Sequence, residues 1–554
     1  MPLWILLGLL LLQPTPHRVS ATVAGDLGDS MFLTWTLSWG ARALRTDPFG
    51  VFDANIFHPE PQTLALSDPM LSLAPIFGVI EWVTGDSIVA LNVLMFVLFV
   101  GALASAHALA MRLFGRGDVA LVVAVVASAN SYVFGQQNHP QLQSFGFISL
   151  SFLLLLRALE HRRARDGLWL GLVIVAMTLA NVLYGLIWLL SALVVVGVLW
   201  LRRVLPPLRE LVRPAIAAVL VGVVLLGPVA SIFLAVDRRN GLARGYEPQN
   251  SLLPTDLLTP QRDNWSWGTA LDGINSFGKA GEHAYFPGFA AMILGAVGLV
   301  LLWKMIRRGA SDLRTGVRTD ELVALVVAGA VAFVLALGPS PGGVTGPFRV
   351  LHRFVPGFDG IRVTSRFAVI SFVAGAVLVG VAVRFLIDRV PAAWSRLVAP
   401  AIVVLVLVEV GGPMARVEVP EGDRLLVYEA LAELAGGPVL ELPIQAPSVG
   451  VQWAFVEAPR MYHATIDWNP RVNGYSGSVP RGFDERAAIF NTWPAATAEQ
   501  LAEDVGVRYV ILHGGVDPGG AAYSADELED LVEKAEAEGF VARSFGDDWL
   551  IVRD

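Results

Sequence analysis

The stretch Gly25-Asp26-Leu27-Gly28-Asp29 puts two carboxylates three residues apart, shortly after an apolar segment at residues 3–12. An ionised aspartate held close to an attacking hydroxyl can take its proton as the new bond forms. Oxygen ligands of this kind also bind hard divalent cations. The same spacing equally describes a turn in which an Asp side chain caps the helix that follows. Other polar groups recur beside proline: Asp47-Pro48, Asn55-Ile56-Phe57-His58-Pro59, Ser67-Asp68-Pro69, and Gln136-Gln137-Asn138-His139-Pro140. His58 and His139 are loop histidines, a type more often structural than catalytic. Late in the chain, His352, Arg353, Arg362 and Arg366 form a basic group. Arginine matches a phosphate with a bidentate fork, although arginine near a span end also snorkels to the lipid interface.

The elements that must position these groups are apolar and long. The 554-residue chain is 55% hydrophobic and only 16% charged, with a mean hydropathy of +0.59. Soluble domains carry about 25% charged residues. Residues 89–110, 119–147, 167–201 and 214–236 hold no Asp, Glu, Lys or Arg. Crossing the hydrocarbon core takes about 20 apolar residues, so each run is long enough for one or two spans. Eleven spans are expected, near 2–14, 88–112, 118–135, 142–158, 167–183, 184–201, 214–236, 286–304, 321–338, 366–386 and 397–412. The first is read as a transmembrane helix and not as a signal peptide, because no Lys or Arg precedes it. Both readings put the following loop outside.

Basic residues test the count. Arg112 and Arg116, the group from Arg157 to Arg165, Arg202 to Arg213, Lys304 to Arg318, and Arg384 to Arg396 all fall in loops on one side if the spans alternate. The positive-inside rule makes that side cytoplasmic. The long polar segments 15–87, 136–141, 237–285 and 339–365 then lie outside, as does the tail. Within the first, Phe32, Trp35, Trp39 and Leu44 recur at helical spacing, which suggests a helix along the membrane interface or an ordinary packed loop helix. Trp265 and Trp267 could stack on a ligand, although Trp also anchors at interfaces.

From about residue 417 the pattern is that of a soluble α/β domain. Strands are expected at 438–443 and 507–513, helices at 498–505 and 524–538, and a closing hairpin at 540–545 and 548–552. Ser524 followed by Glu527 is a capping box. The expected fold is an α-helical polytopic membrane domain of about eleven helices at 1–414, followed by a small extracytoplasmic α/β domain at 415–554. The net charge is −8, no basic nucleic-acid patch is present, and there is no cysteine for a disulfide or thiolate chemistry.

The acid pair after the first span, the helix behind it, the Phe57-His58-Pro59 stretch and Ser67-Asp68 resemble the first external loop of polytopic GT-C glycosyltransferases. The Gln-Asn-His turn around Gln137 and His139 is similar to that family's second external turn. The run Val355-Pro356-Gly357-Phe358-Asp359-Gly360-Ile361-Arg362-Val363-Thr364-Ser365-Arg366 also resembles a segment ahead of a late span. The stretches Met461-Tyr462-His463-Ala464 and Asn473-Gly474-Tyr475-Ser476 look like parts of bacterial relatives with an appended external domain. The resemblance implies a lipid-linked donor, typically a polyprenyl-phosphate sugar, at a plasma (inner) membrane. The acceptor would be an envelope glycan, lipid or protein on the outer face. It places the family's general base at Asp29 or Asp26, with Asp29 favoured because it sits at the mouth of the helix. His58, Asp68, Gln137, His139, Arg353, Arg362 and Arg366 are then candidate substrate contacts, the arginines for donor phosphate. Asp467-Trp468-Asn469 and Asn473-Gly474-Tyr475 read as turns that could bind glycan. No cofactor is firmly implied. Some relatives bind a divalent metal, Mg or Mn, at the acid pair, and the spacing here does not settle the point.

Two other classes fit the same scaffold: a transporter or flippase of a lipid-linked substrate, and a non-catalytic envelope assembly protein. Transporters concentrate ionisable residues or broken helices near the bilayer midplane. Here the polar residues gather in external loops, which favours chemistry at the surface.

Overall fold

The computed structural model describes residues 2–12, 18–241, 248–271, 273–274, 281–308, 317–339, 344–355, 357–412, 415–419, 425–515 and 520–553. The chain divides into two compact units. One gathers Met1–Thr15, Val93–Val229 and Ala243–Ala415; the other gathers Pro16–Asn92, Ala230–Leu242 and Arg416–Asp554. Residues 16–92, placed by the sequence pattern in a membrane domain ending at 414, thus group with the C-terminal residues.

The protein is a multi-pass membrane protein. Among the described residues, eight helices are long and apolar enough to cross a bilayer: Ser87–Phe114, Pro140–His161, Val182–Leu201, Leu208–Asn240, Phe289–Arg307, Thr319–Ala336, Thr364–Ile387 and Ala392–Val410. The other three expected spans fall on shorter helices, Pro2–Leu12, Gly117–Ser128 and Ala164–Ala180. The expected span at 118–135 is interrupted for a local reason. Asn130 adopts extended backbone and its side chain accepts from the Val133 amide at 3.2 Å, so a separate short helix, Ser131–Gly135, begins there. An Asn side chain competes with the helical ladder in this way. Asn181 does the same, capping Val182–Leu201 through the Tyr184 amide at 3.0 Å.

Helix packing in the first unit relies on small residues at close crossings. A Cβ on Gly298 would fall 1.9 Å from the Leu378 carbonyl oxygen, so only glycine lets Phe289–Arg307 approach Ala368–Ile387 so closely. The buried core combines aliphatic residues such as Val122, Leu322, Leu325 and Val377 with aromatic ones such as Phe99, Phe114 and Phe152. At the end carrying the basic loops, Arg112 bridges Glu160 and Glu321, each at 2.6 Å, and Arg318 joins Glu160 at 3.1 Å.

In the second unit, strand β1 (Thr22–Ala24) pairs antiparallel with β2 (Arg416–Glu418), Val23 opposite Val417. Arg416 locks this pair through Thr22 Oγ1 at 2.9 Å and Asn92 Oδ1 at 2.6 Å. A second sheet has the order β3-β4-β6-β5, from Val439–Leu442, Tyr509–Leu512, Asp548–Val552 and Val541–Phe545. β3 and β4 run parallel, Leu440 opposite Val510; the β5–β6 hairpin completes the sheet antiparallel. Helix Leu425–Ala432 supplies Val427, Tyr428 and Leu431 to a core with Val439, Tyr509, Ile511 and Leu550. The capping box at Ser524 and Glu527 is present, opening helix Ala525–Ala537. Helix Leu27–Thr46 is buried around its whole circumference from Ser30 to Ser38, which is the packed form of the helix expected there.

Candidate active site

The acid pair divides its work. Asp26 has extended backbone (φ −129°, ψ 167°) and its Oδ1 accepts from the Asp29 amide at 2.9 Å, so Asp26 is the N-cap of helix Leu27–Thr46. Asp29 is in the first turn, where a negative charge is favoured by the helix dipole. The Tyr475 hydroxyl donates to Asp29 Oδ1 at 3.3 Å. Tyr475 is itself clamped edge-on by Phe32 and Trp453, with ring centroids at 5.2 and 4.8 Å. Trp453 Nε1 donates to the Gly474 carbonyl at 2.9 Å. Gly474 must be glycine for steric reasons, because a Cβ there would lie 2.9 Å from the Phe57 ring. The result is a half-buried carboxylate with a phenol fixed beside it.

Other candidates of the first loop serve to join it to the C-terminal residues of the same unit. The Phe57 amide donates to Asn473 O at 2.9 Å and the His58 amide to Arg471 O at 2.8 Å. His58 Nε2 lies 3.0 Å from Val505 O, so its ring is engaged by a backbone carbonyl. Trp35 Nε1 donates to Asn55 Oδ1 at 3.1 Å. Asp68 is half-buried beyond the 3₁₀ turn Thr63–Leu66.

In the first unit the late arginines separate. Arg366 is paired with Glu282, through its Nη2 to Oε1 and at 3.4 Å between Nε and Oε2. Burial alone would raise the Glu282 carboxyl. Arg366 outweighs that, with His139 and Arg362 adding positive potential, and holds Glu282 below the usual carboxylate range. The structure therefore brings Arg366, Arg362 and His139 around a carboxylate that the sequence pattern did not single out. Arg362 is exposed. Arg353 is exposed as well, its guanidinium 5.7 Å from the Phe354 ring. Gln137 is 6% exposed, and neither atom of its side-chain amide has a protein partner. An uncompensated buried amide costs free energy unless something else satisfies it, which suits a ligand contact. Nearby in sequence, Tyr132 stacks on Tyr285 with centroids 5.1 Å apart, and its hydroxyl is 3.3 Å from that of Tyr184. Pro356, within the resembling segment, lies outside the described residues. Trp265 is exposed, whereas Trp267 packs edge-on to Phe289 at 4.9 Å.

Among the described residues, no three His, Asp or Glu side chains converge in a way that would hold a metal ion.

No family model matches the sequence, and no curated protein matches it. Solved structures do. The cryo-EM structure of the arabinofuranosyltransferase AftD from Mycobacteria matches 100% of this chain and 39% of its own, at 13% identity and a TM-score of 0.59. The chain has the fold of the GT-C membrane glycosyltransferases. It spans about two fifths of the length of AftD. Two other structures of the GT-C fold match more loosely. The Archaeoglobus fulgidus oligosaccharyltransferase, in complex with Zn and sulfate, has 12% identity, 92% of this chain and 67% of that one covered, and a TM-score of 0.46. ArnT from Cupriavidus metallidurans, bound to undecaprenyl phosphate, has 12% identity, 99% and 97% coverage, and a TM-score of 0.44. Within the GT-C fold of this chain, the two contacts that the sequence pattern did not indicate are those of Tyr475 with Asp29 and of Glu282 with Arg366. Tyr475 was legible only as part of a turn; Glu282 was one charged residue in a long polar loop.

Proposed function

We propose that this chain is a membrane glycosyltransferase that moves a hexosyl or pentosyl unit from a polyprenyl-phosphate donor to an envelope glycan, lipid or protein. The acceptor side is the outer face of a plasma (inner) membrane, and residues 415–554 form an external domain. Asp29 is the general base: it takes the proton of the acceptor hydroxyl as the oxygen attacks the anomeric carbon and the donor phosphate leaves. The observation that carries this reading is the division between the two acids. Asp26 is occupied as the helix cap, while Asp29 presents a carboxylate steadied by the Tyr475 phenol. Arg362, His139 and Gln137 are the proposed donor contacts. The likeness of fold to an arabinofuranosyltransferase supports sugar transfer as the reaction class.

The test is transfer by purified, reconstituted protein, scanned across polyprenyl-phosphate sugars with D29N as the matched control. Transfer from at least one donor that disappears in D29N is expected. Facilitated movement of the lipid across the bilayer with no sugar transferred would instead favour the flippase reading.

A further inference from the structure

A second site lies at the other end of the Asp29 helix. Helices Leu27–Thr46 and Ala74–Thr84 bound a groove of about 660 Å³, lined on one side by Arg42 and Arg45 and on the other by Val79, Glu81 and Trp82, with Trp468 contributing an aromatic wall. Every lining residue belongs to the second unit. Arg42 and Arg45 are three residues apart on one helix, so both guanidinium groups address the same face. Arg42 is held over the Trp468 ring at 4.9 Å. Neither arginine has a carboxylate partner among the described residues. Glu81, the acid in the groove, already accepts from Ser38 Oγ at 2.9 Å and Ser87 Oγ at 2.6 Å through a single oxygen, Oε1.

The groove opens beside an apolar row. Ile76, Val79 and Val83 follow each other at helical spacing on Ala74–Thr84, and Val79, Trp82 and Val83 are 64%, 78% and 70% exposed. In water such a patch is costly. Trp is enriched where a protein meets the headgroup region of a bilayer. Two cations with a fork geometry, next to an uncovered aliphatic row, complement an amphiphile with an anionic head and an apolar chain.

We propose that this groove binds an anionic bilayer phospholipid, with its phosphate on Arg42 and Arg45 and an acyl chain along Ile76, Val79 and Val83. The second carboxylate oxygen of Glu81 and the Thr465 hydroxyl suit a headgroup bearing hydroxyls, such as that of phosphatidylglycerol. The lipid is not the sugar donor. Arg42 is thirteen residues from Asp29 on one helix, about 20 Å at 1.5 Å per residue, whereas a donor phosphate must leave from the carbon attacked beside the base. That exclusion rests on the role of Asp29 proposed above; the binding site itself does not.

The experiment needs no sugar transfer, so its failure is separable from failure of the proposed reaction. The full chain is reconstituted in phosphatidylcholine bilayers with and without phosphatidylglycerol, and retained lipid is counted by native mass spectrometry. Wild type is expected to retain phosphatidylglycerol at least tenfold over phosphatidylcholine and to melt at a higher temperature in its presence. R42Q/R45Q should lose both effects. R45Q alone, which alters an exposed side chain with no packing role, should lose part of the preference with its melting temperature in phosphatidylcholine unchanged. Equal retention by wild type and R42Q/R45Q would overturn the site. Stabilisation by inorganic phosphate alone, or preferential retention of polyprenyl phosphate, would overturn the assignment to a bilayer phospholipid.

Discussion

The phenol of Tyr475 donates to Asp29 Oδ1 at 3.3 Å, joining residues 446 positions apart in the chain. A carboxylate that must take a proton gains from a fixed neighbour, because the attacking hydroxyl then meets one rotamer and not several. Y475F keeps the ring between Phe32 and Trp453 and removes only the hydroxyl. A hydrogen bond to a charged group contributes about 1.5–3 kcal/mol, and at this length the lower end applies. Turnover in Y475F should therefore fall about tenfold with KM little changed, and stability should drop by about 1.5 kcal/mol. Steady-state kinetics on the reconstituted protein read this directly; an equal rise in KM would mean that Tyr475 contacts substrate instead of orienting Asp29.

The two acids separate by substitution. D29N preserves size but not basicity, and loss of a general base costs about 10²–10⁴-fold in rate. D26N should be nearly silent in both stability and rate, since Asn caps a helix about as well as Asp. D26A should lower stability by about 1 kcal/mol through the lost cap while leaving much of the rate. A larger rate loss in D26N than in D29N would move the base to Asp26.

What the sequence made legible was local. Ser524 and Glu527 are three residues apart, and their capping box could be written down from spacing alone; the strands around Leu440 and Val510 and the closing hairpin have period and punctuation of their own. The Asp26 cap was one of two readings of its turn, and the choice needed the backbone angle. Tyr475 was legible as part of a turn that could bind glycan, but nothing in residues 473–475 names a partner in the first loop. Glu282 was hidden for a similar reason. It gains meaning only from Arg366, which the pattern offered to a phosphate. The division near Asn181 was expected between the spans 167–183 and 184–201, whereas the break at Asn130 lies inside one expected span, where a single amide side chain redirects the backbone without disturbing hydropathy.

The Glu282–Arg366 pair changes what can be expected of the arginines. R366Q removes a charge already matched and leaves Glu282 half-buried without its main partner, so stability should drop by about 1–3 kcal/mol. E282Q should cost a similar amount, and the double variant less than the sum of the two, as coupled neighbours do. R362Q, at an exposed position, should leave the melting temperature alone and weaken donor affinity by roughly ten- to a hundredfold. Thermal melts and donor titrations on the four variants decide it. Unchanged donor affinity in R362Q, with R366Q altering only stability, would return the whole group to a structural role.

The C-terminal α/β residues should have their stability optimum on the acid side of neutrality. Glu441 is buried, which alone would raise its carboxyl; His513, Arg471 and Arg460 outweigh that and bring it down to about 2. Its contribution is thus present above the unfolded value of 4.5 and is lost as pH falls toward 2. Glu457 is pushed the other way, up to about 7, chiefly by burial. A carboxyl raised in the folded state binds its proton more tightly there, so its contribution is complete below pH 4.5 and is lost as pH rises through 7. His513 is raised by Asp548 and Glu441 against burial and the Arg460 charge. Its share is complete below 6.5 and is likewise lost at higher pH. The three together place the maximum near pH 4.5, with decline on both sides. E457Q should flatten the fall between pH 4.5 and 7 and leave the acid limb set by Glu441 in place. Hydrogen exchange of the strand amides at Leu440 and Val510, followed from pH 4 to 8 in the full chain, reports this domain apart from the membrane helices. Protection that rises steadily from pH 5 to 8 in the wild type would contradict the assignment of Glu457 as a carboxyl protonated near neutrality.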